Sequence, residues 1–95
     1  MTAAGRIRFE IRVLGGATAE TLHFDDVEVR GEPLPEVGDT AGPLRSMAAW
    51  RRVIAVEPAR PPVAAVVHLE PIDCSRTDRD YAKELEMLRA AGWRS

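Results

Sequence analysis

The chain has 95 residues, 45% apolar and 29% charged, which is enough for one domain with one core and no more. A net charge of −2 supplies no overall field toward nucleic acid or an anionic membrane surface. The longest apolar run, Val63 to Val67, is far too short to span a bilayer, and Arg6, Arg8, Glu10 and Arg12 interrupt any apolar leader core.

Ile7, Phe9, Ile11 and Val13 alternate with Arg6, Arg8, Glu10 and Arg12, the period-two signature of a strand with one dry and one wet face. Gly15-Gly16 ends that strand, and Glu20 to Val29 returns as a second one. Its phase breaks midway, because Leu22 and Phe24 sit on even positions and Val27 and Val29 on odd ones. An extra residue at Asp25-Asp26 would put both pairs on one face, so a β-bulge or sharp bend is expected there.

Residues 31–49 carry three Pro and three Gly, which excludes a regular strand through the whole segment. Pro43 to Ala49 reads as a short helix with Pro at its first position, or as an early start of the third strand near Met47. The next two runs, Trp50 to Val56 and Val63 to Leu69, flank the loop Pro58-Ala59-Arg60-Pro61-Pro62 and read as a hairpin, since proline cannot donate to a ladder. If the loop centres on Arg60, Val53 faces Val67 and Ala55 faces Ala65 on one side. On the other, Ile54 faces Val66, Val56 faces Ala64, Arg52 faces His68 and Trp50 faces Glu70. Both sides are apolar near the loop, so covers are expected on both: the first two strands, or a curling sheet, on one side and a helix on the other, with a partner subunit able to replace either. Ala55, Ala64 and Ala65 would leave that helix room for close approach.

That helix is expected at about residues 78–91. Thr77 and Asp80 have capping-box-like spacing, Tyr81, Leu85 and Leu88 form an apolar stripe, and Gly92 supplies a terminator behind which Trp93 packs on Leu88. The expected fold is therefore α+β, a small curved antiparallel sheet of four to five strands over about residues 6–70 with one C-terminal helix. It forms a single domain over residues 1–95 with no internal repeat. Leu34 to Asp39 followed by Trp50 to Ile54 resembles the turn-then-strand entry of SH3-like small barrels, which implies a partial barrel as one form of the curved sheet. The resemblance covers about a quarter of the chain and names no family or function.

No motif fixes a substrate, and no cofactor, metal or catalytic residue is assigned. His23, Asp25, Asp26, His68, Asp73 and Cys74 are potential ligands, but their spacing matches no zinc or calcium signature. Cys74 with His68 is the one nucleophile–base pair to weigh, since a turn at Pro71 would fold one toward the other, and it still needs a base in hydrogen-bond reach and an oxyanion donor. Gly15-Gly16 and Val37-Gly38-Asp39 are turns without phosphate-loop spacing. The hairpin register collects one mixed constellation, Trp50, Arg52, His68 and Glu70, which is the candidate binding patch, since Trp and Arg are interface anchors.

The leading expectation is a non-enzymatic protein-interaction or structural module, working with a protein partner or as a homo-oligomer and not with a membrane. A nucleic-acid-binding accessory protein of small-barrel type is the alternative. It has Arg6, Arg8 and Arg12 on one wet face, but Glu10 breaks the stripe and Trp50 is its one stacking ring. A small enzyme using His68 or Cys74 comes third. A single cysteine fits a reducing, cytoplasmic setting, and twelve arginines against one lysine fit a G+C-rich bacterial genome.

Overall fold

In the computed structural model, an open six-stranded sheet carries one helix and the core on the same face. The structure describes residues 2–33, 35–42, 50–58, 63–75 and 80–95, with side chains for all of these except 2–5, 26–33 and 63–64. The elements are β1 (Thr2–Leu14), β2 (Ala19–Pro33), β3 (Thr40–Ala41), β4 (Arg51–Pro58), β5 (Val63–Leu69), β6 (Ile72–Asp73) and α1 (Tyr81–Ala90). Their lateral order is β2-β1-β5-β4-β3, and β6 pairs with β1 beyond the end of β5. The α+β class with a terminal helix is as expected. The sheet differs in being mixed, since β1 runs parallel to β5 and to β6. Alternation reads the same for either strand direction, so direction was not legible in the pattern.

β1 is central because it has a partner on each side and a fully apolar inner face. Ile7, Phe9, Ile11 and Val13 are all buried, and Arg6 and Arg12 on the other face are exposed. Ile11 pairs with Leu22 and Phe9 with Phe24, so β2 adds to the same inner face. Arg8 then faces Asp25 while Arg6 faces Glu28, which gives β2 one extra residue in that interval. The bulge expected at Asp25-Asp26 falls there.

The β4–β5 hairpin pairs in a different register from the one centred on Arg60. Val53 faces Leu69, and after a shift Ala55 faces His68, Val56 faces Val67 and Glu57 faces Val66. Ile54 and Ala55 together oppose His68, a bulge that turns Val56 inward beside Val53 and leaves Ile54 48% exposed. The proline-rich loop permits pairing that is not centred on it, and burial of Val53, Val67 and Leu69 on one face fixes the register instead. Among the described residues the chain itself covers only the inner side of the hairpin. β1 and β2 lie beside the hairpin in one sheet, not stacked on it, and Ala55 is turned away from the inner face that holds the helix.

α1 lies across the inner face through Leu85 and Leu88, both buried in the core cluster. It begins later than about residue 78: Asp80 is extended and acts as the N-cap, its Oδ1 accepting from the Lys83 N–H at 3.2 Å. The cap therefore stands at the third position of the expected box, and Thr77 lies outside the described residues. The C-terminus closes as a Schellman motif. Trp93 N–H donates to Leu88 O (3.0 Å), and Gly92 N–H donates to Arg89 O (3.1 Å) at a Gly92 φ of 108°. The motif drops Trp93 into the core, 1% exposed, with its ring tilted at 59° and 5.7 Å from Phe24. Its Nε1 is buried without a hydrogen-bond partner, a cost that the burial of so large a ring offsets.

After Trp93 the chain crosses the outer edge of β2, where His23 and Arg94 exchange backbone bonds of 2.7 and 2.9 Å. The short helix or early strand expected over residues 43–49 lies outside the described residues. No helix among the described residues is long and apolar enough to cross a membrane.

Candidate functional site

With the core and helix on the inner face, the chemistry-bearing side chains collect on the outer one. Strand registers arrange them in cross-sheet rows. One runs His23, Glu10, His68 and Ala55, and the next Asp25, Arg8, Val66 and Glu57. Neighbours within such a row stand about 4.5–5.5 Å apart at Cβ, close enough for side chains to meet.

Arg8 and Asp25 meet as a fork on a carboxylate, with Nε to Oδ1 at 2.7 Å and Nη2 to Oδ2 at 3.2 Å. The hydrogen bond from Arg8, reinforced by its charge, holds the Asp25 carboxyl below the usual aspartate range despite some desolvation, and His23 and Arg6 add weaker fields. His68 is set between two glutamates. Its Nδ1 lies 3.2 Å from Glu10 Oε2, and its Nε2 lies 3.3 Å from Glu57 Oε1. The second contact is within ion-pair distance but off hydrogen-bond geometry, so Nε2 is buried and unbonded. Contact with a carboxylate on each side makes His68 a clamp between β1 and β4.

The predicted patch is only partly assembled. Arg52 is exposed and stands beside Glu70, whose N–H donates to Arg52 O at 2.8 Å, and not opposite His68. His68 faces Ala55 in place of Arg52, and Trp50 does not face Glu70 along a regular ladder, since β4 begins at Arg51. Trp50 is half-buried over Gly42, where an added Cβ would fall 2.6 Å from its Cδ1. Arg52, His68 and Glu70 therefore share the outer face, and Trp50 sits at its margin.

Three participants escaped the sequence reading. Arg51, not Arg52, holds Glu70: its Nε donates to Glu70 O (2.7 Å), its Nη2 to Pro71 O (3.0 Å), and Nη2 lies 3.5 Å from Glu70 Oε1. Glu10 and Glu57 are the others. Glu10 was visible as a wet-face residue of β1, but pairing it with His68 requires knowing that β5 lies beside β1 in parallel. Cys74 packs against the core, while His68 stands on the outer face between its glutamates, so the nucleophile–base pair is not formed. Among the described residues no group of three or more His, Cys, Asp or Glu is placed to hold a metal ion. Compared with known protein families, characterised proteins and solved structures, the chain matches none.

Proposed function

We propose that this chain is a non-enzymatic interaction module whose outer sheet face pairs with a second copy of itself. The observation that carries this reading is the bulge at Ile54. It lifts a large aliphatic side chain, 48% exposed, onto a face otherwise held by cross-strand ion pairs. Ala55 and Val66 flank it, giving a small apolar centre ringed by Arg52, His68, Glu57 and Glu70. An apolar centre with a polar rim is the anatomy of a protein interface.

A second copy fits because the face carries both signs of charge on different strands. Arg6, Arg8 and Arg12 are on β1, and Glu57 and Glu70 lie on and just after the β4–β5 hairpin. A standard contact takes about 800 Å² per partner, roughly an eighth of the 6309 Å² surface. The nucleic-acid alternative has less support, since Phe9 and Trp93 are buried, Tyr81 packs against the core, and Phe24 and Trp50 are half-buried and far apart in the sheet order. Single-strand binding needs exposed rings on which bases stack.

Sedimentation velocity over a concentration series tests the reading. Wild type should move from monomer to dimer below about 1 mM, and Ile54→Asp should weaken that step by at least about ten-fold, the loss of one interface anchor. Ile54 is outside the core, so the variant should keep its melting temperature within a few degrees. A wild-type chain that stays monomeric through the series overturns the reading.

A further inference from the structure

Where the C-terminal turn crosses the edge of β2, a cleft of about 370 Å³ opens, lined by Arg6, His23, Phe24, Asp25, Ala91, Gly92 and Arg94. We infer that this cleft binds a phosphate monoester, the ester oxygens between Arg6, Arg94 and His23 and the organic group on Phe24 and Gly92. The inference goes beyond the self-pairing reading and shares only Arg6 with its outer face, since the cleft lies at the β2 edge and Ile54 lies on β4, across β1 and β5.

The groups around the cleft are arranged for an anion. Asp25, the one carboxylate among the lining residues, has both oxygens engaged by Arg8 at 2.7 and 3.2 Å, so it is already neutralised. Arg6 and Arg94 are both exposed, and Glu28 stands opposite Arg6 in the register. Glu10 faces His23 across the strands and has its own partner in His68 at 3.2 Å. Among the described lining residues Arg6 and Arg94 outnumber Asp25, whose charge Arg8 already pairs. The fields of His23 and Arg6 already help to hold the Asp25 carboxyl in its charged form. Two forked guanidiniums suit a tetrahedral, doubly charged oxyanion better than a singly charged carboxylate.

The scaffold is rigid where it must be. Arg94 is fixed through its backbone by the two bonds to His23, 2.7 and 2.9 Å, and Trp93 anchors the turn in the core at 1% exposure. Gly92 packs directly on the Phe24 ring, which a side chain there would displace. A Cβ there would lie 2.8 Å from Phe24 Cε2. The volume is at the small end of ligand sites, which limits the organic group to about one ring.

Amide chemical-shift titration with phenyl phosphate at low salt provides the test, with benzoate as the carboxylate comparator. Saturable shifts are expected at Phe24, Asp25, Gly92 and Arg94, with phenyl phosphate binding more tightly than benzoate. Arg94→Gln should weaken binding by about ten-fold, the scale of one charge-assisted fork, at unchanged melting temperature, because Arg94 is held by its backbone. Lys83→Gln, exposed at the opposite end of α1 from the cleft, removes one positive charge and should bind as wild type. A short tyrosine-phosphorylated peptide separates the two sources of the ester. Tighter binding than phenyl phosphate assigns it to a protein side chain, and equal binding to a small molecule. Absence of saturation, benzoate binding as tightly as the phosphate, or equal losses in the Arg94→Gln and Lys83→Gln variants would each overturn the inference.

Discussion

Asp25 shows how little an ion pair contributes to folding when both partners remain in water. Its side chain is 33% exposed and that of Arg8 37%, so good fork geometry is worth about 0–1 kcal/mol after solvent screening. The folded carboxyl titrates below the unfolded one, so the contribution is fully present above the usual aspartate range. It is lost as pH falls through the lowered folded value. Asp25→Asn should therefore cost at most about 1 kcal/mol at neutral pH in urea denaturation, and the gap from wild type should close at pH 2. A gap that persists unchanged in acid would mean that Asp25 acts through packing or the bulge and not through Arg8. His68 is the contrasting residue. Two carboxylates hold it from opposite sides, and it ties β1 to β4 across β5.

At the scale of elements, α1 is the one helix among the described residues and it covers the inner face. Leu85 and Leu88 are each 7% exposed within the cluster that includes Phe9, Ile11, Val13 and Trp93. Leu85→Ala should cost about 2–5 kcal/mol in chemical denaturation, the price of a core cavity. A loss under about 0.5 kcal/mol would show that the helix is not docked on this sheet. Much of this was legible in the sequence, because it depended on local signals. The β1 alternation, the β2 bulge, the Leu85–Leu88 stripe and the Gly92 terminator each follow from a few neighbouring residues. The hairpin register and the parallel β1–β5 pair were not legible, since both are settled by contacts between distant segments. The site inherited that limit: the hairpin register set Arg52 opposite Glu70 and placed Glu57 near His68, and the parallel β1–β5 pair brought in Glu10, which no local spacing joins. The cleft at β2 was hidden for the same reason, as Arg6 and Arg94 stand at opposite ends of the chain.

At the scale of the whole molecule, the proposed pairing must choose between two two-fold axes, and charge makes the choice. With the axis perpendicular to the strands, β1 of one copy lies over β1 of the other, placing Arg6, Arg8 and Arg12 against their own equivalents. With the axis parallel to the strands, the lateral order reverses, so β1 lies over β5 of the partner and its arginines no longer face their own equivalents. Extending the Glu10–His68 pairing by one pleat puts Arg12 level with Glu70, so these two meet across the second kind of interface. Like charges apposed at a contact are penalised and opposite charges favoured, so the parallel axis is preferred. Both side chains lie outside the core, and Glu70 is held by Arg51 through its main-chain oxygen at 2.7 Å, so changing its side chain should leave the fold intact. Arg12→Glu and Glu70→Arg should each weaken dimerisation in sedimentation velocity by about five- to ten-fold, and the double variant should recover most of the loss. Raised salt should narrow the difference between wild type and either single variant. A double variant weaker than both singles would exclude the parallel axis and leave Ile54 to be covered by a different arrangement.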